Sequence, residues 1–136
     1  MLHFLMKERN RIFGKIFSKG NNQYFEIQLE VMEFEDKNIF YAYTPSLNLM
    51  GYGKTKQEAI DSWHVVVENY LTYTNNKKTL LEDLQSYGWT ITKKNLAPPD
   101  FSWLLQHNEQ AVDVFNNHNF AKSSRPVKMP FSEVCA

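Results

Sequence analysis

The chain contains one cysteine, Cys135, so no disulfide can form within it and packing alone must hold the fold, as in most cytosolic proteins. It also lacks net charge: fifteen basic residues cancel fifteen acidic ones. Balance of that kind excludes the global positive field of an autonomous nucleic-acid binder, though not a local basic patch. No apolar run approaches the roughly 20 residues that span a bilayer. The apolar start, Met1-Leu-His-Phe-Leu-Met6, is too short for an export signal, and Lys7, Glu8, Arg9 and Arg11 follow it where a signal would place its cations first. A cytoplasmic location is expected, with no membrane partner. Histidine is sparse as well. His3, His64, His107 and His118 offer no pair at i, i+3 or i+4, and a lone cysteine cannot complete a clustered zinc site. No metal, no cofactor and no catalytic group are expected, hence no enzyme.

Apolar residues make up 43% of the 136 and aromatics 15%, ample for one globular core. The whole chain reads as one α+β domain, with a core over about 20–96 and an extension over 97–136. There is no internal repeat and no low-complexity tract.

Residues 1–17 leave two readings open. Ile12, Phe13, Ile16 and Phe17 recur at helical spacing among Arg9, Arg11 and Lys15, which suits a basic amphipathic helix. The alternative is an N-terminal element packed on a sheet, and Gly14 weakens the helix. Residues 24–34 alternate: Phe25, Ile27, Leu29 and Val31 point one way, Glu26, Gln28 and Glu30 the other, as in a half-buried strand. A polar turn, Glu35-Asp-Lys-Asn38, leads to a second β-rich run, Ile39–Thr44, and the two predict an antiparallel hairpin ended by Pro45.

A long amphipathic helix follows over residues 56–74. Its buried face is expected to carry Ala59, Ile60, Trp63, Val66, Val67, Tyr70 and Leu71, and Asn75-Asn76 should end it. Thr55 and Glu58 have the spacing of a capping box at its start, and Thr79 and Glu82 repeat that spacing before a shorter helix. Gly88 sits where a left-handed residue would close the second helix, with a short strand over Trp89–Thr92. Beyond Pro98-Pro99, Asp100 predicts the cap of a short helix, Asn116–Asn119 a loop, and Val127–Phe131 a short edge strand.

Two further patterns bear on function. Gly51-x-Gly53-Lys54-Thr55 has the ending of a phosphate loop, but position 48, where the first glycine belongs, is Asn, and glycine dihedrals in a turn explain the segment better. Tyr41 and Tyr43 share one strand face, a stacking platform in RNA binders, yet the neighbouring strand carries Glu26, Glu30, Glu33, Glu35 and Asp36. Acidic neighbours repel phosphate and suit a basic protein partner. Glu26, Gln28, Glu30, Tyr41 and Tyr43 are therefore the candidate partner-binding residues, the alternative being a solvated strand face with no partner.

The order of Tyr43, Pro45, Leu47, Gly51, Gly53, Thr55, Glu58 and Ala59 resembles the HicB-like antitoxins of bacterial toxin-antitoxin pairs, over roughly residues 24–74. The resemblance implies an antiparallel hairpin-based sheet packed on one long helix plus a shorter one, of double-stranded-RNA-binding-like or partial ferredoxin-like shape. It also implies an antitoxin that binds and neutralises a small basic ribonuclease toxin by covering its RNA-binding surface. The family loop often reads Pro-Gly-Cys, where this chain has Asn48-Leu-Met-Gly-Tyr-Gly-Lys54. Many members add a DNA-binding module, a ribbon-helix-helix or a helix-turn-helix, and a C-terminal ribbon-helix-helix needs a strand followed by two helices. Five residues follow Phe131 here, too few for that module, so DNA binding through it is not expected. A homo-oligomer is expected, because an uncovered edge strand invites pairing. The competing reading is a stand-alone RNA-binding or protein-interaction domain.

Overall fold

The computed structural model describes residues 14–19, 22–91 and 96–130. Four strands open the chain: β1 (Gly14–Lys19), β2 (Asn22–Asp36), β3 (Ile39–Thr44) and β4 (Leu49–Gly53). Helices α1 (Lys56–Lys77) and α2 (Leu80–Ser86) follow, then the two-residue strands β5 (Thr90–Ile91) and β6 (Leu96–Ala97). Helices α3 (Phe101–His107) and α4 (Glu109–Asn117) and strand β7 (Phe120–Pro130) complete it. The fold is α+β, an antiparallel sheet packed against one long helix and several shorter ones.

Strand β2 is the axis of the five-stranded sheet. Strand β7 pairs with it from Tyr24 to Phe34, while β1 pairs over Asn22–Ile27 and β3 over Met32–Asp36. Because β7 overlaps both, β1 and β3 must share the opposite edge in tandem. In the gap between them the Thr44 hydroxyl donates to the Glu30 carbonyl at 2.8 Å, satisfying an acceptor that no strand reaches. Strand β4 extends the sheet beyond β3, and β5 and β6 pair separately.

The expected alternation along β2 holds as far as Val31. Ile27, Leu29 and Val31 are buried beneath α1 with Ala42, Trp63, Val67, Val127 and Met129. Met32 and Phe34 then turn to the other face and are buried too, against Leu104, Ala111 and Val114 of α3 and α4. The upper half of β2 is thus covered on both sides, whereas Gln28 and Glu30 in the lower half stay exposed.

Several local expectations need correction. The spacing that suggested a helix over Ile12–Phe17 ends in a strand, since Gly14–Lys19 pairs with β2. This agrees with the alternative of an element on the sheet. The residues before Gly14 lie outside those described, as do Thr92 and Phe131. Helix α1 runs past Asn75-Asn76, which are weak helix formers but no barrier, and stops at Lys78 in the left-handed region (φ 60°). Its N-terminus forms half of the expected box. The Glu58 amide donates to Thr55 Oγ1 at 3.1 Å, and the exposed Glu58 carboxylate makes no return bond.

The second box does not form. The Thr79 amide donates to the Thr74 carbonyl at 2.9 Å, which holds Thr79 in the helical region, while a capping side chain requires extended backbone. Gly88 behaves as expected. With φ at 88° it donates to the Gln85 carbonyl, and Trp89 donates to that of Leu84, the two bonds of a Schellman closure. Asp100 caps α3 through the Trp103 amide at 2.8 Å. The expected Asn116–Asn119 loop is shorter, because α4 continues to Asn117. The short strand expected at Val127 begins at Phe120 instead. Pro126 is tolerated within it because β7 borders the sheet, where one side of the strand needs no donor.

Candidate functional site

The segment from Tyr43 to Ala59 folds as one corner. Pro45 and Leu47 are buried at the turn between β3 and β4, and Asn48 takes the left-handed conformation (φ 54°) that lets the chain reverse. Strand β4 then runs directly under α1. A Cβ on Gly51 would lie 2.3 Å from the Trp63 amide nitrogen, and one on Gly53 would lie 2.4 Å from Glu58 Cβ. Both glycines are therefore required by contact with the helix, and neither forms a phosphate cradle. The outward Tyr52 amide donates to Ser62 Oγ at 3.2 Å, so the helix also occupies the free edge of β4.

The five candidate residues share one sheet face but have different surroundings. Tyr43 is 1% exposed beneath α3 and α4. Its hydroxyl donates to Asn48 Oδ1 at 2.7 Å and accepts from Asn108 Nδ2 at 3.1 Å. Burial raises the phenol to about 12, against a smaller lowering by the Asn108 hydrogen bond. Tyr41 is half-buried, its ring stacked on Phe34 at 5.1 Å, and Phe34 also stacks on His118 at 4.5 Å. Gln28 and Glu30 are exposed, and Glu26 is half-buried. Tyr43 is thus a structural anchor, and solvent meets the other four.

Strand β7 changes the charge of this face. Its register sets Lys128 opposite Glu26, Ser124 opposite Glu30 and Lys122 opposite Met32, so lysines interleave with the acidic row. Arg125 and Ser123 lie on the α1 face. There Ser123 Oγ donates to Glu33 Oε2 at 2.6 Å, and Arg125 Nη2 stands 3.8 Å from the same oxygen. Lys122 to Lys128 could be read as a basic stretch, but not their place beside the acidic row, because the expected strand began only at Val127. The available signal was the alternation of Lys122, Ser124, Pro126 and Lys128 with Ser123, Arg125, Val127 and Met129. Asn108 was missed with no signal at all, since it meets Tyr43 from 65 residues away.

Hollows touch several of the candidate residues, and Tyr41 lines one of about 280 Å³ with Phe34, Phe40 and Lys56. Glu26 lines one of about 500 Å³ between α1 and β7, and Gln28 and Glu30 line another of about 380 Å³ beside Pro98-Pro99. Among the described residues no three His, Cys, Asp or Glu side chains gather as metal ligands, and no helix is long and apolar enough to cross a membrane. No protein-family model, curated protein or solved structure matches this chain.

Proposed function

We propose that this protein is an antitoxin-like binder that neutralises a small basic ribonuclease toxin by covering its RNA-binding surface. One observation carries the reading. The residues that resemble HicB-like antitoxins pack as a single unit in which Leu47 and Ala59 are buried and Gly51 and Gly53 seat β4 on α1. On this reading the unit belongs to the double-stranded-RNA-binding-like or partial ferredoxin-like shape that the resemblance implies.

On this reading the toxin meets the open half of the outer face through Glu26, Gln28 and Glu30, with Tyr41 at its margin. Co-expression with the small reading frame beside the gene tests it, with copurification and rescue of growth as readouts. Tight association with rescue is expected, and neither would occur if the reading is wrong. Reversing Glu26 and Glu30 to Lys should weaken the complex and flatten its salt dependence. Unchanged affinity would move the interface to another face.

A further inference from the structure

A hollow of about 400 Å³ lies where the β3–β4 turn, the end of α2, helix α3 and the start of α4 converge. One of its walls is built of layered planes. Gly88 has no side chain, and the Trp103 ring lies against its backbone: a Cβ there would stand 2.8 Å from three ring carbons. His107, one turn further along α3, stacks on Trp103 with 4.4 Å between centroids and 17° between planes. Its Nδ1 donates to the Trp103 carbonyl at 3.0 Å, which fixes the imidazole in place. His107 is exposed and Trp103 occupies one side of its ring, so the other side is open to a further planar group. Tyr87 adds another, half-buried ring to the lining.

Most polar groups around the hollow already have partners. Asn108 Nδ2 donates to the Tyr43 hydroxyl, Asn108 Oδ1 accepts from the Ala111 amide, and Asn48 Oδ1 accepts from Tyr43. The remaining Asn48 Nδ2 belongs to an exposed residue and is left to water. Ser86 Oγ donates to the Asp83 carbonyl at 2.7 Å. Glu109 and Gln110 are different: both are exposed, and the Glu109 carboxylate is in no ion pair among the described residues. No lysine or arginine lines the hollow, so Glu109 gives it an unopposed negative charge.

From the open aromatic face beside an unopposed carboxylate we infer that this hollow takes an arginine side chain of a protein partner. A guanidinium is planar, always charged, rich in donors and stacks on aromatic rings, whereas a lysine ammonium has no plane to stack. Its plane lies on the open side of His107, and its N–H groups donate to the Glu109 carboxylate and to Gln110 Oε1. Free arginine is the poorer match, because no lysine or arginine in the lining pairs with its own carboxylate. The inference does not rest on toxin binding. Pro45 and Leu104 border both this hollow and the one that Gln28 and Glu30 line, so the two surfaces are neighbours.

An NMR titration of the full chain with N-acetyl-argininamide tests it. The Trp103 indole and His107 ring signals should shift and saturate, while the indole of Trp63, buried beneath α1, should not move. N-acetyl-citrullinamide, planar but neutral, and N-acetyl-lysinamide, charged but not planar, should each bind at least about tenfold more weakly. Free L-arginine should bind no more tightly than the capped form. Glu109→Gln should weaken the capped arginine by about tenfold and His107→Ala should weaken it as well. The citrulline comparison needs no variant, so the test survives if either substitution loosens α3 or α4. No saturable shift at millimolar concentration overturns the inference. So does an equal response to the citrulline compound, and tighter binding of free L-arginine would overturn the assignment to a protein side chain.

Discussion

Gly51 is the point at which a strand and a helix touch backbone to backbone. Its missing side chain leaves room for the Trp63 amide, and Trp63 is itself fully buried. Gly51→Ala should destabilise the protein by about 2–3 kcal/mol, since neither backbone can yield as a flexible side chain would. Urea unfolding measures this. Tyrosine ionisation offers a second test at the same scale. Burial raises Tyr43 from 10.0 to about 12, and Tyr70 is raised further by burial, then by its hydrogen bond to Asp83 and that carboxylate's charge. Both phenols resist ionisation more in the folded than in the unfolded chain. The stability they contribute is therefore complete below pH 10 and is lost as pH climbs through 10 toward 12. Unfolding followed against pH by tyrosinate absorbance should show this loss, and Tyr43→Phe should reduce it.

At the scale of elements, two threonines with identical spacing to a glutamate make opposite predictions. Thr55 accepts from the Glu58 amide, while Thr79 makes no capping bond. Thr55→Ala should cost about 1 kcal/mol and Thr79→Ala close to nothing, by denaturant midpoint. Equal costs would mean that the second box forms in solution. The contrast also shows what was legible locally. Helix α1, the β2–β3 hairpin and the Asp100 cap could be read from period and capping chemistry because they depend on neighbours in sequence. Thr79 could not, because a carbonyl of the preceding helix sets its backbone. Strand β1 was ambiguous for a related reason: short apolar pairs fit both periods, and pairing with β2 decides between them.

For the whole molecule, the last strand matters most. Strand β7 pairs along β2 from Tyr24 to Phe34 and contributes Val127 and Met129 to the core beneath α1. A fragment ending at Ala97 would expose one side of β2 and uncover Met32, Phe34 and Tyr43 by removing α3 and α4. It should fail to give a cooperative unfolding transition, observed by circular dichroism. The candidate face depends on the same long-range pairing. Glu26 and Glu30 were recognisable as the polar side of an amphipathic strand, but Lys122 and Lys128 reach them only through β7. Tyr43 is closed off only because α3 and α4 settle on Met32 and Phe34. Period, capping and glycine spacing, which act over a few residues, determined from the sequence alone an α+β chain with a hairpin, a long helix and a tight corner between them. Which strands are neighbours, which aromatics are covered and how the acidic row is neutralised were decided by tertiary structure, because those contacts join residues as far apart as Tyr24 and Pro130 and periodicity carries no record of partners at that distance.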